Sequence, residues 1–310
     1  MIHQLEELFR RQARAWPQLA QGLEGLARAK TRPVRIDWFD VFIRHIPHRV
    51  GSTTAAVDRE SVAKRPCFLC AGNLPPEEEG VRFDEDFTIY CNPFPIVDRH
   101  LTIAHREHGL RRIANQFGNM LDLAAALPGY FVIYNGPECG ASAPDHMHFQ
   151  AGSRELLPIE KDTAELTGVT VPNYGRKVFL FRGRDRSALI DGIDRAIDLL
   201  ATTTGRRAEP LVNIAVFHEK AQWVTFLFPR GKHRPEVFHT GELTVSPASI
   251  DLCGIFVVPL AHDFEKITGD AIAAIFREIT LPDAQFREVA EKLESERERI
   301  CRADRRTIRC

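Results

Sequence analysis

The residues best suited to chemistry in this sequence are His146-Met147-His148-Phe149-Gln150. Along a β-strand successive side chains alternate faces, so His146, His148 and Gln150 are expected on one surface while Met147 and Phe149 enter a core. The loop before them, Asn135 to Pro144, holds Gly136 and Gly140, with Ala141, Ser142 and Ala143 behind. Small residues let backbone N–H groups close on an anion, so this loop reads as a phosphate cradle. An imidazole beside such a cradle is what nucleophilic attack on an α-phosphorus requires. The plainer alternative is a pair of surface or metal-binding histidines on a strand face.

Two more groups could do chemistry. Cys67-Phe68-Leu69-Cys70 is a CxxC pair: a redox couple, half of a zinc site, or a coincidence of spacing. A tetrahedral zinc needs two further ligands, for which His100, His105, His108 and His146 are the candidates. The run Glu77 to Glu79 reads as solvated loop. The turn Pro229 to Arg234, PRGKHR, is the densest positive patch. There Arg230 and Lys232 could bind a distal or acceptor phosphate, the alternative being an ordinary solvated turn.

The elements that must position these residues are legible from periodicity. Leu5, Leu8, Phe9, Ala13, Trp16 and Leu19 recur at helical spacing, and Pro17 should split that helix. A β-rich stretch covers Ile36 to Ile46. Strands are expected over Phe87 to Asn92, His100 to Ala104 and Tyr130 to Tyr134, with a helix from Arg111 to Leu127. Later come a helix over Ser187 to Ala201 and strands at Val212 to Phe217, Trp223 to Phe228 and Ile255 to Pro259. Helices near 270–279 and 285–303 follow. This order predicts an α+β fold, an antiparallel sheet with flanking helices, the second half a degenerate repeat of the first. The expected division is a helical and strand extension over 1–45, a catalytic half over 46–165 and a degenerate half over 166–310.

Charge and composition narrow the function classes. With 41 basic against 42 acidic residues, the chain has no global field to capture nucleic acid or an anionic membrane surface. Any anionic ligand must be held by a local cluster. No apolar run reaches the ~20 residues that span a bilayer, and the N-terminal stretch is not a signal peptide. A cytoplasmic protein is expected. Seven cysteines with one CxxC pair suit a reduced compartment with a metal or redox site.

The segment NGPECGASAPDHMHFQAGSRELLPIE resembles the active-site stretch of the histidine triad superfamily, in the branch of diadenosine tetraphosphate phosphorylases and galactose-1-phosphate uridylyltransferase. CFLCAGN is similar to the zinc-binding CxxC of the uridylyltransferase, and NPFPIVDRHLTIAHREH to the strand pair of the superfamily's nucleotide pocket. VNIAVFHEKAQWVTFLFPRGKHRPE and SPASIDLCGIFVVP resemble the C-terminal half of the phosphorylases. The chain also resembles a group of bacterial proteins of unassigned function. The resemblance covers roughly 45–160 and 210–280. It implies that His148 is the nucleophile and that Gln150 hydrogen-bonds the phosphate oxygens. It also implies that Asn135 lies near the phosphate loop and that Asn92 belongs to the nucleotide pocket. Cys67, Cys70, His108 and His146 match zinc ligands, which selects His108 over His100 and His105. Asp145 departs from the pattern by standing between Pro144 and His146, which shifts the loop serine, Ser142, by one place. No match exists for a second metal site or for the hexose contacts.

The resemblance therefore implies a nucleotidyl transferase or phosphorylase acting on a nucleoside diphosphate-sugar or a dinucleoside polyphosphate. A phosphate or sugar phosphate would be the acceptor, zinc a structural cofactor and a homodimer the assembly. Hydrolases of the superfamily carry a third histidine where Gln150 stands, so the glutamine favours transfer to phosphate. The rival readings are a nucleotide hydrolase using His148 and a zinc-stabilised nucleotide binder without turnover.

Overall fold

In the computed structural model, which describes residues 1–109, 112–154, 157–166, 168–171 and 174–307, the strands form two sheets. They are β1 (Lys30–Ile36), β2 (Phe39–His45), β3 (Gly80–Arg82), β4 (Phe87–Cys91), β5 (Leu101–His105), β6 (Tyr130–Asn135), β7 (His148–Ser153), β8 (Phe179–Gly183), β9 (Val212–Glu219), β10 (Gln222–Pro229) and β11 (Ile255–Val258). Among the described residues the larger sheet has the order β3-β4-β5-β7-β6-β9-β10-β8, every neighbouring pair antiparallel. The smaller sheet is β1-β2-β11, where β2 and β11 run parallel. This α+β architecture, with antiparallel pairing and flanking helices, is the expected one. The parallel pair is the exception, joined through most of the chain rather than by a turn.

The large sheet is a repeat folded about its own middle. The first half runs β5, helix Phe117–Ala126, β6, β7; the second runs β8, helix Arg186–Thr204, β9, β10. From the centre outwards the strands read β6-β7-β5 on one side and β9-β10-β8 on the other. β6 and β9 meet as Phe131 opposite Phe217 and Ile133 opposite Ala215, so one continuous sheet crosses both halves.

Both faces of the central strands are buried, which explains their uninterrupted apolar runs. Tyr130, Val132 and Tyr134 pack with Val212, Ile214 and Val216 against the helical layer, with Met120, Leu123 and Ile193. Phe131 and Ile133 face the smaller sheet, where Val41, Ile43, Ile255 and Phe256 cover them. At the N-terminus Pro17 divides the helices Ile2–Ala15 and Pro17–Ala27. Pro at the first helical turn loses no hydrogen bond there. The helix expected from Arg111 instead starts at Phe117, after a single 3-10 turn at Ile113–Asn115; Arg111 lies outside the described residues. No described helix is long and apolar enough to cross a membrane.

Candidate functional site

β7 begins at His148, two residues later than the alternation pattern implied. His148 and Gln150 share the face toward the smaller sheet, Gln150 opposite Ile133 of β6 and Thr102 of β5. Met147 and Phe149 enter the helical core as expected. His146 is not on the strand, because it sits in the turn before it and bonds elsewhere. It is nonetheless tied to His148. The His148 Nδ1 lies 2.8 Å from the His146 carbonyl oxygen, which can only accept, so Nδ1 carries the proton. His148 is 7 % exposed, and burial lowers its pKa, favouring the neutral ring. The lone pair is thus on Nε2.

The loop after β6 is held from the second half of the chain. The Asn213 Nδ2 donates to Asn135 Oδ1 at 2.8 Å and to the Cys139 carbonyl at 2.8 Å. Asn135 Oδ1 also accepts the Ser249 N–H at 2.9 Å, so the Asn135 amide oxygen is occupied and its NH2 remains to donate. Gly140 has φ +93°, and a Cβ there would stand 2.5 Å from the Ala248 side chain. The loop and the segment at Ala248 therefore close on each other only because residue 140 has no side chain.

A polar cavity opens beside Gln150, lined by Asn135, Gly140, Ser142, Ser246, Asp251 and Arg49 among others. Arg49 was missed by sequence reasoning. It donates to the Phe94 carbonyl at 3.1 Å, and burial lowers its pKa to about 10 despite the opposing charge of Asp251 in the same cavity. The signal available was a lone arginine ahead of the CxxC segment, too common a feature to single out. Asp251 is the cavity's acid, but its two oxygens accept the N–H groups of Ala248 and Val257. Asn92 has both ends of its amide committed, to Thr102 Oγ1 and the Phe94 N–H, and so braces the turn after β4.

The basic turn is arranged differently from the expectation of a phosphate-binding patch. Arg230 is 1 % exposed and points inward. It donates to Asn213 Oδ1 and to the carbonyls of Pro247, Ile279, Lys232 and His233. Lys232 is exposed and pairs with Glu278 at 2.8 Å. Arg234 binds the carbonyls of Thr53 and Ala55, both at 2.9 Å, pinning the segment that contributes Ser52 and Thr53 to the cavity. The turn acts as a strut: backbone carbonyls take most of the Arg230 and Arg234 donors, and Glu278 pairs with Lys232.

Cys67, Cys70, His108 and His146 converge, with their ligand atoms all within 4.8 Å of one another. Cys67 Sγ and Cys70 Sγ lie 3.3 and 3.6 Å from His146 Nδ1, and Cys70 Sγ lies 3.3 Å from His108 Nδ1. Around a tetrahedral ion with ordinary Zn–S and Zn–N bonds, S···N edges are about 3.5 Å, so the donor set fits such a metal. The far nitrogens are occupied too: His146 Nε2 donates to the His105 carbonyl at 2.6 Å, and His108 Nε2 is 3.6 Å from Asp145. Outer partners of this kind orient metal-binding imidazoles. His105 and His100 are engaged elsewhere, with the Glu107 N–H and Gln150. Next to the pair, Arg65 donates to the Ser142 carbonyl at 2.5 Å, tying the CxxC segment to the loop after β6.

Residues 8–153 match the family described as Domain of unknown function (DUF4922), and residues 154–298 match the GDPGP1-like C-terminal domain. No curated protein matches the chain in sequence. Among solved structures the chain is similar to yeast Ap4A phosphorylase Apa2 in complex with AMP, at 16% identity and a TM-score of 0.59, over 90% of this chain and 96% of that one. The complex of Apa2 with Ap4A gives 16% identity and a TM-score of 0.56, over 86% and 97%. An ADP-glucose phosphorylase from Arabidopsis thaliana aligns at 12% identity with a TM-score of 0.35, over 82% and 100%, too distant to carry an argument. The fold is therefore that of the yeast Ap4A phosphorylase Apa2.

Proposed function

We propose that the protein is a nucleotidyl transferase acting through a nucleotidyl-histidine intermediate, with a phosphate group as acceptor. The observation that carries this is the hydrogen bond from His148 Nδ1–H to the His146 carbonyl, which leaves a buried, neutral imidazole with its Nε2 lone pair free. In the proposed reaction that lone pair attacks the α-phosphorus in line and expels a phosphate-bearing leaving group. An acceptor phosphate oxygen then attacks the same phosphorus, breaks the P–N bond and restores neutral His148. Splitting one displacement into two predicts ping-pong kinetics. Charge on the non-bridging oxygens would meet the amides of Gln150 and Asn135, the Ser142 hydroxyl, the loop N–H groups and Arg49. The substrate class is a nucleoside diphosphate-sugar or a dinucleoside polyphosphate, a choice that separate assays with each would make.

The experiment is to incubate the protein with labelled nucleotide substrates, quench in base and look for an adduct. A histidine phosphoramidate survives base and breaks in acid; absence of such an adduct during turnover would remove the covalent step. Product formation that depends on added phosphate distinguishes phosphorolysis from hydrolysis. Gln150→Ala is expected to slow turnover by ~10²–10³, the cost of losing one preorganised donor.

Zinc is the proposed occupant of the Cys67, Cys70, His108 and His146 cluster, in a structural role. Four protein donors leave no open position, so the ion would supply no chemistry beyond fixing its ligands. Its hold on His146 also fixes the carbonyl that His148 leans on. Elemental analysis should find one zinc per chain in wild type and little in Cys70→Ser. Chelation should lower the unfolding midpoint by roughly 5–10 °C, each kcal/mol being worth about 2–4 °C in chains of 150–250 residues. An unchanged midpoint on full metal removal would contradict the structural role.

A further inference from the structure

Gln150 meets a second buried histidine. His100 Nε2 lies 3.0 Å from Gln150 Oε1, and its other nitrogen, Nδ1, lies 3.2 Å from the backbone nitrogen of Ile96. The Ile96 N–H only donates, so Nδ1 holds a lone pair and a neutral ring must carry its proton on Nε2. That proton points at Gln150 and needs an oxygen, so the amide places Oε1 toward His100 and its NH2 toward the cavity. Burial first, and the charge of Arg49 second, push the His100 pKa down to about 3, so the ring is neutral at any working pH. A second ring proton would set Nδ1–H against the Ile96 N–H, donor on donor.

The turn that presents the Ile96 N–H is itself clamped. Arg49, His48 and Arg44 engage three consecutive carbonyls, those of Phe94, Pro95 and Ile96, at 3.1, 2.9 and 2.8 Å. Asn92 closes the same turn from inside. The orientation of His100 is thereby inherited from the backbone.

We propose that His100 is a positioning residue that holds the Gln150 amide with its NH2 facing the substrate phosphate. This rests on the transfer reading above. The two faces of a glutamine amide are nearly equal in shape and opposite in hydrogen bonding. An unclamped amide can present its oxygen to the phosphate and repel it. His100 removes that alternative without touching substrate.

The test is a double-mutant cycle with a spectroscopic control. His100→Ala should lower kcat about ten- to hundredfold, with KM changed little, because the lost donor acts on the transition-state charge. In a Gln150→Ala background the same change should cost less than about threefold, since the group it orients is gone. Multiplying losses would overturn the proposal and leave His100 a packing residue. If His100→Ala does not fold, the nitrogen-15 spectrum of the wild-type imidazole decides alone. The expected signature is an unprotonated Nδ1 with a protonated Nε2, and the reverse tautomer overturns the proposal. That readout is independent of turnover. A wild-type protein with the expected tautomer and no nucleotide adduct would therefore refute the transfer reading and not the clamp.

Discussion

Replacing His148 by alanine is expected to abolish turnover while leaving the fold nearly intact. A covalent nucleophile is the reaction path itself, so the loss should reach about 10⁴–10⁶ in kcat, far beyond that for one lost donor. Folding should survive because the ring borders the loop of small residues at the start of β7, while the neighbouring Met147 and Phe149 carry the core packing. The thermal midpoint should move by only a few degrees, as about 1 kcal/mol would produce. The base-stable adduct should vanish with the activity. Wild-type turnover in this variant, on any nucleotide substrate the protein accepts, would show that another residue does the chemistry.

Arg230→Met is expected to be among the most destabilising single substitutions in the chain. Guanidinium has five N–H donors, and here each meets an acceptor: one Asn213 oxygen and four backbone carbonyls. Methionine matches the volume of the stem but removes all five donors, and of the acceptors the Ile279 carbonyl keeps the Gly231 N–H. The expected loss is about 3–5 kcal/mol, read from denaturant unfolding at constant slope. Arg230→Lys should recover only part of it, because an ammonium has three donors and lacks the planar fork. The loss should extend to function, since Arg230 holds Asn213, and Asn213 holds both Asn135 and the Cys139 carbonyl of the loop proposed to cradle phosphate. A variant as stable as wild type would show that this network contributes little.

The surroundings of those two residues differ in how much of them local sequence shows. The choice of His148 over His146 came from the family resemblance, while the shared face of His148 and Gln150 and the loop of small residues before them were legible from alternation and composition, both local properties. The two N-terminal helices, most strands and the antiparallel α+β plan were legible for the same reason, since periodicity reports a face whatever that face packs on. The convergence of Cys67 and Cys70 with His108 and His146 followed only once a family resemblance chose among four histidines. Arg230 and Lys232 were read as a phosphate patch because charge in a turn normally meets solvent. Nothing local says that the end of β10 dives under the Thr280 segment, where carbonyls are waiting. Arg49 acts on Phe94, 45 positions away, His100 on Gln150, 50 away, and Asn213 on Asn135, 78 away, where no spacing rule applies. The shift of His146 off the strand had a local cause that went unread: an imidazole committed to the thiol cluster must leave the ladder first.

The seam between β6 and β9 bears on how the loop after β6 keeps its shape as the protein is diluted. Two like halves meeting strand to strand about a local twofold axis is the geometry of a homodimer, here written into one polypeptide. A dimer of separate halves would hold its loop only at concentrations above its dissociation constant. Covalent fusion makes the supporting half a permanent neighbour, at an effective concentration set by the connecting chain. The second half supplies the support: Asn213, Arg230 and Ser249 all come from it, and all act on the loop after β6 directly or through one another.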